Sequence, residues 1–592
     1  MNGKRLISAL LCLLCLCGCA QPPMSPTLLC RVVLEEGDGF TCDDYTRTVR
    51  PGDSVDFCIM CDDGYEIVGA DCENASLASK RGGMTILTLS DLRYSTVVSL
   101  TVKKTEVCLS YDPNDESGSA PVQCKVAPTH MRWNTAGSIF TREGYTLTGW
   151  NTAQDGSGTA VGLGGRVQGE DGLTLYAQWS LWSAPELFRW DEGADGAVVT
   201  GYLGVEDTIT IPAVLGGLPV RTIASGAFAG TDCQTVILPD TLYTIEDGAF
   251  RGCSLWELWM SDNIQTMGGA FEGCSELTTL HLSAVEAPVY SGTYYDTFQD
   301  KFDRLLSLKG RKKIVLFSGS STRFGFDSAA IDAAFPGYEV VNMGVYAYTN
   351  AMPQMELILA CVEPGDVLVH CPEFDASKRQ FCTTTDLDES FFKMMESNYD
   401  TLAQLDLRGF TNVFPALETY LTTRAGMAKK NYDLSPADFD EDGAPVTSPS
   451  YNEYGDYVVY RPNARTEAPI YGLPVEYTVF AFPKERFIDP LNEMYQRFLD
   501  KGVAVYFTYS PRNSQAISEN STPQRRAELD AYLRSELCVP VISELEDSLW
   551  SGIYLYGTDN HLSTEGVDIH TRRFIPQLRA QMARDGLVGY DG

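Results

Sequence analysis

The sequence predicts a multidomain protein with N-terminal β modules, a short repeat solenoid and a C-terminal α/β/α domain built on a parallel sheet. Three observations support this prediction. Short strand-like runs separated by glycine and aspartate fill residues 30–180. A Gly-Ala-Phe triplet recurs within residues 185–290. Apolar strands then alternate with helical segments in residues 291–592, and a chain of 592 residues has room for several domains.

Residues 1–19 predict a signal peptide, because a basic pair precedes an apolar run that ends in Leu16-Cys17-Gly18-Cys19. This ending resembles the lipobox of bacterial lipoproteins, which implies that Cys19 becomes the lipidated first residue. Cleavage before Cys17 and ordinary secretion are the alternatives. No other apolar run reaches spanning length, so we expect the mature protein on the outer face of the membrane, attached only through its lipid.

The net charge excludes one class of partner, and the cysteine content indicates an exported protein. A net charge of −34 argues against nucleic-acid binding, which needs a basic surface. The sequence has 18 cysteines, and the density after the leader suggests disulfides in an exported domain. Seven cysteines lie in this stretch, and because seven is odd at least one of them is free or pairs elsewhere. No metal site is expected. These cysteines are Cys30, Cys42, Cys58, Cys61, Cys72, Cys108 and Cys124.

Two β modules are expected before the repeats. Residues 30–105 predict a small cysteine-rich module of strands and tight turns, without visible chemistry. Residues 106–180 carry Arg142-Glu143-Gly144-Tyr145-Thr146-Leu147-Thr148-Gly149-Trp150 and end in Leu173-Thr174-Leu175-Tyr176-Ala177-Gln178-Trp179. This pattern resembles the InlB B-repeat of bacterial surface proteins. We interpret the aromatic residues as core packing rather than as a sugar-stacking platform.

Residues 185–290 contain an internal repeat. Its phenylalanines, Phe228, Phe250 and Phe271, recur about every 22 residues, and aliphatic strand segments follow the same period. The region resembles the BspA-like leucine-rich repeats, in which equivalent side chains stack into one core. Cys253 and Cys274 keep a fixed offset from phenylalanine and are expected in that stack. Binding of a surface ligand and a spacer role both remain open.

The C-terminal region presents hydroxyl groups after a buried strand. An apolar run ends at Phe317, and the small residues Ser318-Gly319-Ser320-Ser321 follow before a helix capped by Asp327 or Ser328. Such a turn places side chains at the carboxyl edge of a sheet, where open α/β folds bind ligands. Far downstream, Asp559 and His561 share one polar loop and would supply the base and its carboxylate partner.

These stretches resemble the blocks of the SGNH (GDSL-type) hydrolase superfamily, which implies a flavodoxin-like α/β/α fold for residues 291–592, with an insertion at about 376–480. Aligning Gly319-Ser320-Ser321 with the first block makes Ser321 the nucleophile. The resemblance further implies that the N–H groups of Ser321 and Gly344 bind the oxyanion, and that Asp559 and His561 complete the triad.

Two departures from the family pattern matter. Asp559 stands two residues before His561 instead of three, which resembles the branch of cell-envelope O-acetyltransferases. The third block lacks its usual asparagine, and Glu373 stands near that strand end. Loss of one oxyanion donor lowers the rate by about a hundredfold or more. Candidates for supporting the substrate or the oxyanion are Ser320, Asn342 and Glu373.

Two functions follow from the sequence. The first is a cell-surface lipoprotein with a serine esterase or O-acyltransferase domain. It would act on an ester-bearing carbohydrate or cell-envelope polymer, most simply an O-acetylated one, and would need no cofactor or metal. The alternative is a surface adhesin whose SGNH-like domain is degenerate and non-catalytic. The acyl group, the acceptor and the oligomeric state are not given by the sequence.

Overall fold

The computed structural model describes residues 29–589 except 43, 63–64, 73, 80–83, 105, 116–120, 129–131, 169–171, 285–288, 291–294, 296, 375–378, 428–450 and 468. The signal peptide and the predicted lipidation residue Cys19 lie outside the described residues. The chain divides into two compact units. One holds the described residues up to Leu109 and those within 124–131 and 169–173, and the other holds the remaining described residues.

The first unit is a small all-β structure. Its strands are β1 (Cys30–Leu34), β2 (Phe40–Cys42), β3 (Thr46–Val49), β4 (Asp53–Cys61), β5 (Tyr65–Ala70), β6 (Ala75–Ser79), β7 (Met84–Leu92), β8 (Thr96–Val98) and β9 (Leu100–Lys104). Strands β2, β4, β7 and β6 form one antiparallel sheet, and alternate residues such as Phe57 and Ile59 enter the core. Cys30, Cys58, Cys61 and Cys72 are free thiols, so the expected disulfides are not formed at these positions.

The second module surrounds a buried tryptophan. Its strands are β10 (Glu106–Asp112), β11 (Val122–Pro128), β12 (Arg132–Asn134), β13 (Tyr145–Asn151), β14 (Ala160–Val161), β15 (Arg166–Gln168) and β16 (Thr174–Leu181). Strand β13 pairs antiparallel with both β14 and β16. Trp150 is 1% exposed, packs against Tyr111 with ring centroids 4.6 Å apart, and donates to the Ala136 carbonyl at 2.9 Å. Trp150 therefore belongs to the core.

The repeats stack as a parallel ladder. Their strands are β17 (Phe188–Glu192), β18 (Ala197–Tyr202), β19 (Thr208–Thr210), β20 (Val214–Leu215), β21 (Leu218–Ile223), β22 (Thr235–Ile237), β23 (Thr244–Ile245), β24 (Glu257–Ser261) and β25 (Thr279–Ser283). Strands β19, β22, β24 and β25 pair in parallel. Phe228 stacks on Phe250 at 4.7 Å, and Phe250 stacks on Phe271 at 5.1 Å. The repeat period thus becomes a continuous apolar column.

The C-terminal region alternates strands with helices. These elements are α1 (Thr297–Ser307), β26 (Lys313–Phe317), α2 (Ser320–Arg323), α3 (Ser328–Ala334), β27 (Glu339–Asn342), α4 (Ala351–Cys361), β28 (Val367–His370), α5 (Glu389–Met395), α6 (Val413–Gly426), α7 (Asp489–Asp500), β29 (Ala504–Phe507), β30 (Arg512–Asn513), α8 (Pro523–Glu536), β31 (Leu549–Trp550) and α9 (Thr564–Arg584). A π-helical turn, Lys484–Ile488, leads into α7.

Short 3₁₀ helices occur both before the repeats and in the C-terminal region. They cover Pro185–Leu187, Arg379–Cys382, Tyr399–Gln404, Leu407–Gly409, Val479–Ala481, Glu546–Ser548 and Gly552–Tyr554.

The central sheet has the order β27-β26-β28-β29, and all its strands are parallel. Along β26, Ile314 and Leu316 pack into one apolar cluster with α9, whereas Val315 and Phe317 pack into the cluster that contains residues of α1, α4 and α7. The strand is buried on both faces, which explains its unbroken apolar sequence. Helices on both faces give the three-layer α/β/α arrangement.

The repeats and the α/β region share one core. Phe414 of α6 extends the phenylalanine column, with its ring centroid 4.2 Å from that of Phe271. Nearby, the buried Arg424 side chain contacts Asp262 of the repeats at 3.0 Å and Glu396 at 2.6 Å. The boundary expected between residues 290 and 291 therefore lies inside a single compact unit.

Candidate functional site

The candidate site lies at the carboxyl edge of the parallel sheet. Ser318 and Gly319 follow β26, Asn342 ends β27, and Glu373 stands three residues beyond β28. Because β26 is central and pairs with both β27 and β28, these strand ends meet at one edge. This is the edge at which open α/β sheets place their ligands.

Ser320 and His561 are in contact at this edge. The Ser320 Oγ lies 2.8 Å from the His561 Nε2. The imidazole is stacked on Phe324, with ring centroids 4.1 Å apart and planes inclined by 10°. Its loop is held by the Thr558 side chain, whose Oγ1 accepts the His561 N–H at 2.9 Å. A hydroxyl and an imidazole at this distance are the elements of a nucleophile and its base.

Ser321, the nucleophile expected from the sequence, points elsewhere. Its side chain is fully buried, and its Oγ has no hydrogen-bond partner. The reason is the helical start at Ser320, since successive side chains of a helix diverge by about 100° around its axis. Only Ser320 can face the His561 loop from this turn. The hydroxyl that contacts His561 is thus that of Ser320, one residue before the serine expected from the sequence.

Glu373 borders the same hydroxyl. Its Oε1 lies 3.3 Å from the Ser320 Oγ and accepts the Ser321 N–H at 2.7 Å, and its Oε2 accepts from the Asn560 side chain at 2.8 Å. The Asn560 Oδ1 in turn accepts from Arg512 at 3.0 Å. Gly319 permits this approach, because a Cβ there would lie 2.6 Å from the Glu373 Oε1. Glu373 thus holds the serine turn, a role the sequence did not predict, and its predicted support of a substrate or oxyanion stays a prediction.

The two predicted oxyanion donors are both engaged. The Ser321 N–H is bound by Glu373, and the Gly344 N–H donates to the Asn342 Oδ1 at 2.9 Å. The Asn342 amide nitrogen also donates to the Thr322 carbonyl at 3.1 Å and to Asp456 at 2.8 Å. Asn342 therefore fastens the loop after β27, and its predicted support of a substrate or oxyanion stays a prediction. No open oxyanion site is formed by these two N–H groups in the described arrangement.

Asp559 anchors the histidine loop through a different set of partners. Its Oδ2 accepts the N–H groups of Tyr471 and Gly472 at 3.1 and 2.8 Å, and its Oδ1 accepts from Asn513 at 3.2 Å. These contacts tie the loop to the segment that precedes α7 and to β30. The expected contact with the imidazole is not among the hydrogen bonds described for the Asp559 carboxylate.

Sequence reasoning missed several supporting residues. Asn560 directly precedes His561. A polar residue is ordinary in a predicted loop, so the sequence did not mark Asn560 as part of the site. Arg512 follows the last sheet strand, so its position at the carboxyl edge was the available signal. Asp456 comes from the insertion and binds the Ser328 N–H at 2.7 Å and the Ser328 hydroxyl at 2.6 Å. No local pattern marks it.

The other two histidines of the α/β region are unsuited to act as bases. Burial lowers the pKa of His370 to about 3, and its Nδ1 lies 2.6 Å from the Tyr495 hydroxyl. Burial likewise lowers the pKa of His570 to about 4, and its Nδ1 lies 2.7 Å from the Gly325 carbonyl oxygen. Both pack in the interior of the domain.

Neither a metal-binding cluster nor a membrane-spanning helix is present among the described residues. Within the ranges given above, no group of three or more His, Cys, Asp or Glu residues could hold a metal ion. No helix in the same ranges is long and apolar enough to cross a membrane.

Family models match two segments of the chain. The BspA type leucine rich repeat region matches residues 209–299 in six copies, and the Listeria-Bacteroides repeat domain matches residues 109–178. The repeat resemblances expected for residues 185–290 and 106–180 are thereby confirmed. The chain is a multidomain, repeat-containing protein. Both matches end before β26, so the evidence for chemistry at Ser320 is the geometry.

Relatives match short stretches. A protein of Evansella cellulosilytica named "Putative membrane protein" is 42% identical over 72 residues, which are 12% of this chain and 11% of the relative. A "Putative Gly-rich membrane protein" of the same organism is 32% identical over 104 residues, 17% of this chain and 12% of the relative. The chain spans only about a ninth to an eighth of these relatives' length. The crystal structure of a Treponema pallidum leucine rich repeat protein is 19% identical over 23% of this chain and 75% of its own, with a TM-score of 0.13, which is too low to carry an argument.

Proposed function

We propose that the α/β region is a serine esterase or O-acyltransferase of the SGNH type, with Ser320 as nucleophile and His561 as general base. The observation that carries this proposal is the 2.8 Å contact between the Ser320 Oγ and the His561 Nε2. A hydroxyl needs a neighbouring base to become nucleophilic at neutral pH, and His561 stands in that position.

The reaction would proceed in two balanced steps. The Ser320 Oγ attacks the ester carbonyl carbon while His561 takes the hydroxyl proton, and the proton then passes to the departing alkoxide. This leaves an acyl group on Ser320 and a free alcohol. Water or a sugar hydroxyl next attacks the acyl-serine carbonyl and gives its proton to His561. His561 passes this proton to the departing Ser320 Oγ, which releases the acid or a new ester and restores the free serine. No metal or cofactor takes part.

Support comes from the residues around the pair. Phe324 fixes the plane of the His561 ring, and Asp559 fixes the loop that carries it. Glu373 fixes the serine turn through the Ser321 N–H. We place the enzyme at the cell surface, anchored through lipidated Cys19, and we assign it an ester-bearing carbohydrate or envelope polymer as substrate. The repeats and the relatives named as membrane proteins favour that location.

A surface adhesin without catalysis is the second candidate. The observation that favours it is the engagement of both predicted oxyanion donors within the protein. Such a site would need a rearrangement of the Gly344 loop or the Glu373 side chain before it stabilised an oxyanion.

Labelling with a fluorophosphonate tests the proposal. The wild-type protein should be labelled at Ser320, the Ser320→Ala variant should not be labelled, and Ser321→Ala should be labelled as the matched neighbour control. Absence of labelling in folded wild-type protein would favour the adhesin. If Ser321→Ala loses the label and Ser320→Ala keeps it, the nucleophile is Ser321, as the sequence predicted.

A further inference from the structure

A cavity of about 290 Å³ lies where the second β module, the repeats and the insertion meet. All three belong to the second compact unit. Its walls include Thr148 and Gln178 of the module, Trp259 and His281 of the repeat sheet, and Asp400 and Gln404 of the insertion. This volume is near the lower end of the range for small-molecule sites, about 300–1,000 Å³, and suits a single ring-sized group with its substituents.

The repeat wall offers an ordered aromatic surface. Trp259 and His281 occupy paired positions on β24 and β25, and their rings stack at 3.7 Å with planes inclined by 12°. The His281 Nε2 lies 2.8 Å from the Glu257 Oε1, which fixes the imidazole. Both rings are half-buried. An aromatic surface held in this way loses little conformational entropy on binding a partner.

The facing walls offer polar groups that are also held in place. The Asp400 Oδ2 accepts the Gly162 N–H at 3.0 Å, and the Thr148 hydroxyl donates to the Gln178 carbonyl at 3.1 Å. The Gln178 Nε2 donates to the Tyr176 and Ala177 carbonyls at 3.1 and 3.2 Å, so Gln178 offers its Oε1 as an acceptor. The Gln404 amide can both donate and accept hydrogen bonds. The cavity lining contains a carboxylate and no lysine or arginine. This composition disfavours phosphate, sulfate and uronate ligands.

We infer that this cavity binds one pyranose ring of a neutral polysaccharide. The apolar C–H face of a pyranose packs against indole and imidazole rings, and its hydroxyls need mixed donors and acceptors of the kind that the amides and Asp400 supply. The site is separate from Ser320 and His561, and its occupancy does not depend on catalysis. In the envelope, it would hold a polymer chain on the repeat side of the protein.

Calorimetric titration of the full-length Ser320→Ala protein tests the inference. The probes are three neutral β-1,4-linked tetrasaccharides, of glucose, of N-acetylglucosamine and of mannose. We expect at least one to bind with a Kd between about 1 μM and 1 mM. Trp259→Ala should weaken that binding by about tenfold or more, the equivalent of an aromatic contact. Gln404→Ala, which changes an exposed side chain of the cavity lining, should also weaken the binding.

The matched control is Trp256→Ala, because Trp256 is 53% exposed on the same repeat and does not line the cavity. Its binding should equal that of the parent protein. The inference is overturned if none of the three probes binds, or if Trp259→Ala and Gln404→Ala both bind like the parent. Tighter binding of tetragalacturonate or of oligolysine would also overturn it. Labelling of Ser320 is a separate readout, so either result can fail alone.

Discussion

The repeats and the α/β region both build parallel sheets, but they use them in opposite ways. In the repeats, equivalent residues stack upon one another, as Phe228, Phe250 and Phe271 do. In the α/β region, unlike residues collect at one edge, as Ser320, Glu373 and His561 do. The stacked phenylalanine column follows from a period in the sequence. The polar cluster follows from the positions at which the strands of the sheet end. Repetition therefore builds a continuous core, whereas convergence of strand ends brings unlike polar side chains together.

The largest expected effect separates these two roles. Ser320→Ala and His561→Ala should each lower kcat for acetyl-ester hydrolysis by about 10³ to 10⁶, and the double variant should be no worse, because the two residues act as a unit. Unfolding by urea should be nearly unchanged. The measurement is steady-state hydrolysis of a soluble acetyl ester. Ser321→Ala provides the neighbouring control, and additive losses in the double variant would contradict the shared role.

The sequence was sufficient for the repeats and insufficient for the site. A period fixes which residues stack, so the phenylalanine column was predictable from spacing. The sequence singles out the serine turn, but which of Ser320 and Ser321 contacts His561 depends on the residue at which α2 begins. A helical start one residue earlier or later turns a different side chain toward His561.

Long-range polar contacts were outside the reach of the sequence as well. The partners of Asp559 come from residues 471, 472 and 513, and those of Asn342 include Asp456 of the insertion. These contacts depend on how an insertion packs, which no local periodicity encodes. The shared core of the repeats and the α/β region could not be predicted either. Phe414, which extends the phenylalanine column, lies in α6 and is not part of a repeat.

The next largest effect concerns the column itself. Phe250 is fully buried between two other rings, so Phe250→Ala should reduce the free energy of unfolding by about 4 kcal/mol through lost burial and a cavity. Residual folded protein should keep its kcat. Phe480→Ala is the matched control, since Phe480 is 95% exposed and its loss should cost less than about 0.5 kcal/mol. Equal effects in chemical denaturation would contradict the stacked core.

A smaller effect tests whether the two regions unfold together. Arg424→Ala should destabilise the protein by about 3 kcal/mol, because Asp262 and Glu396 are left as buried carboxylates without this cation. Calorimetry should still show one transition for the second compact unit. Arg408→Ala is the control: its pair with Asp406 is about half-exposed on both sides and contributes less than about 1 kcal/mol. Two separate transitions in the wild type would show independent domains.

The smallest effect concerns Asp456, which joins the insertion to Asn342 and Ser328. Burial raises the pKa of this carboxyl above its usual 3.8, although the hydrogen bonds from Ser328 and Asn342 oppose the shift. The folded state therefore holds the proton more tightly than the unfolded state. Its contribution is fully present below the unfolded pKa and is lost as pH rises through the folded pKa, by about 1.4 kcal/mol for each unit between the two values.

Asp456→Asn removes this titration and keeps an oxygen acceptor at the same place. The difference in unfolding free energy, wild type minus Asp456→Asn, should therefore fall as pH rises from about 3 and then level off above the folded pKa. Urea unfolding of both proteins at a series of pH values measures it. Asp456 accepts a hydrogen bond from Asn342, and Asn342 in turn holds the Gly344 N–H. The kcat of Asp456→Asn should therefore fall even at a pH where the two proteins are equally stable. A difference that rises with pH would show that hydrogen bonding to the charged form outweighs burial. In that case the insertion would hold an ionised carboxylate beside the candidate site.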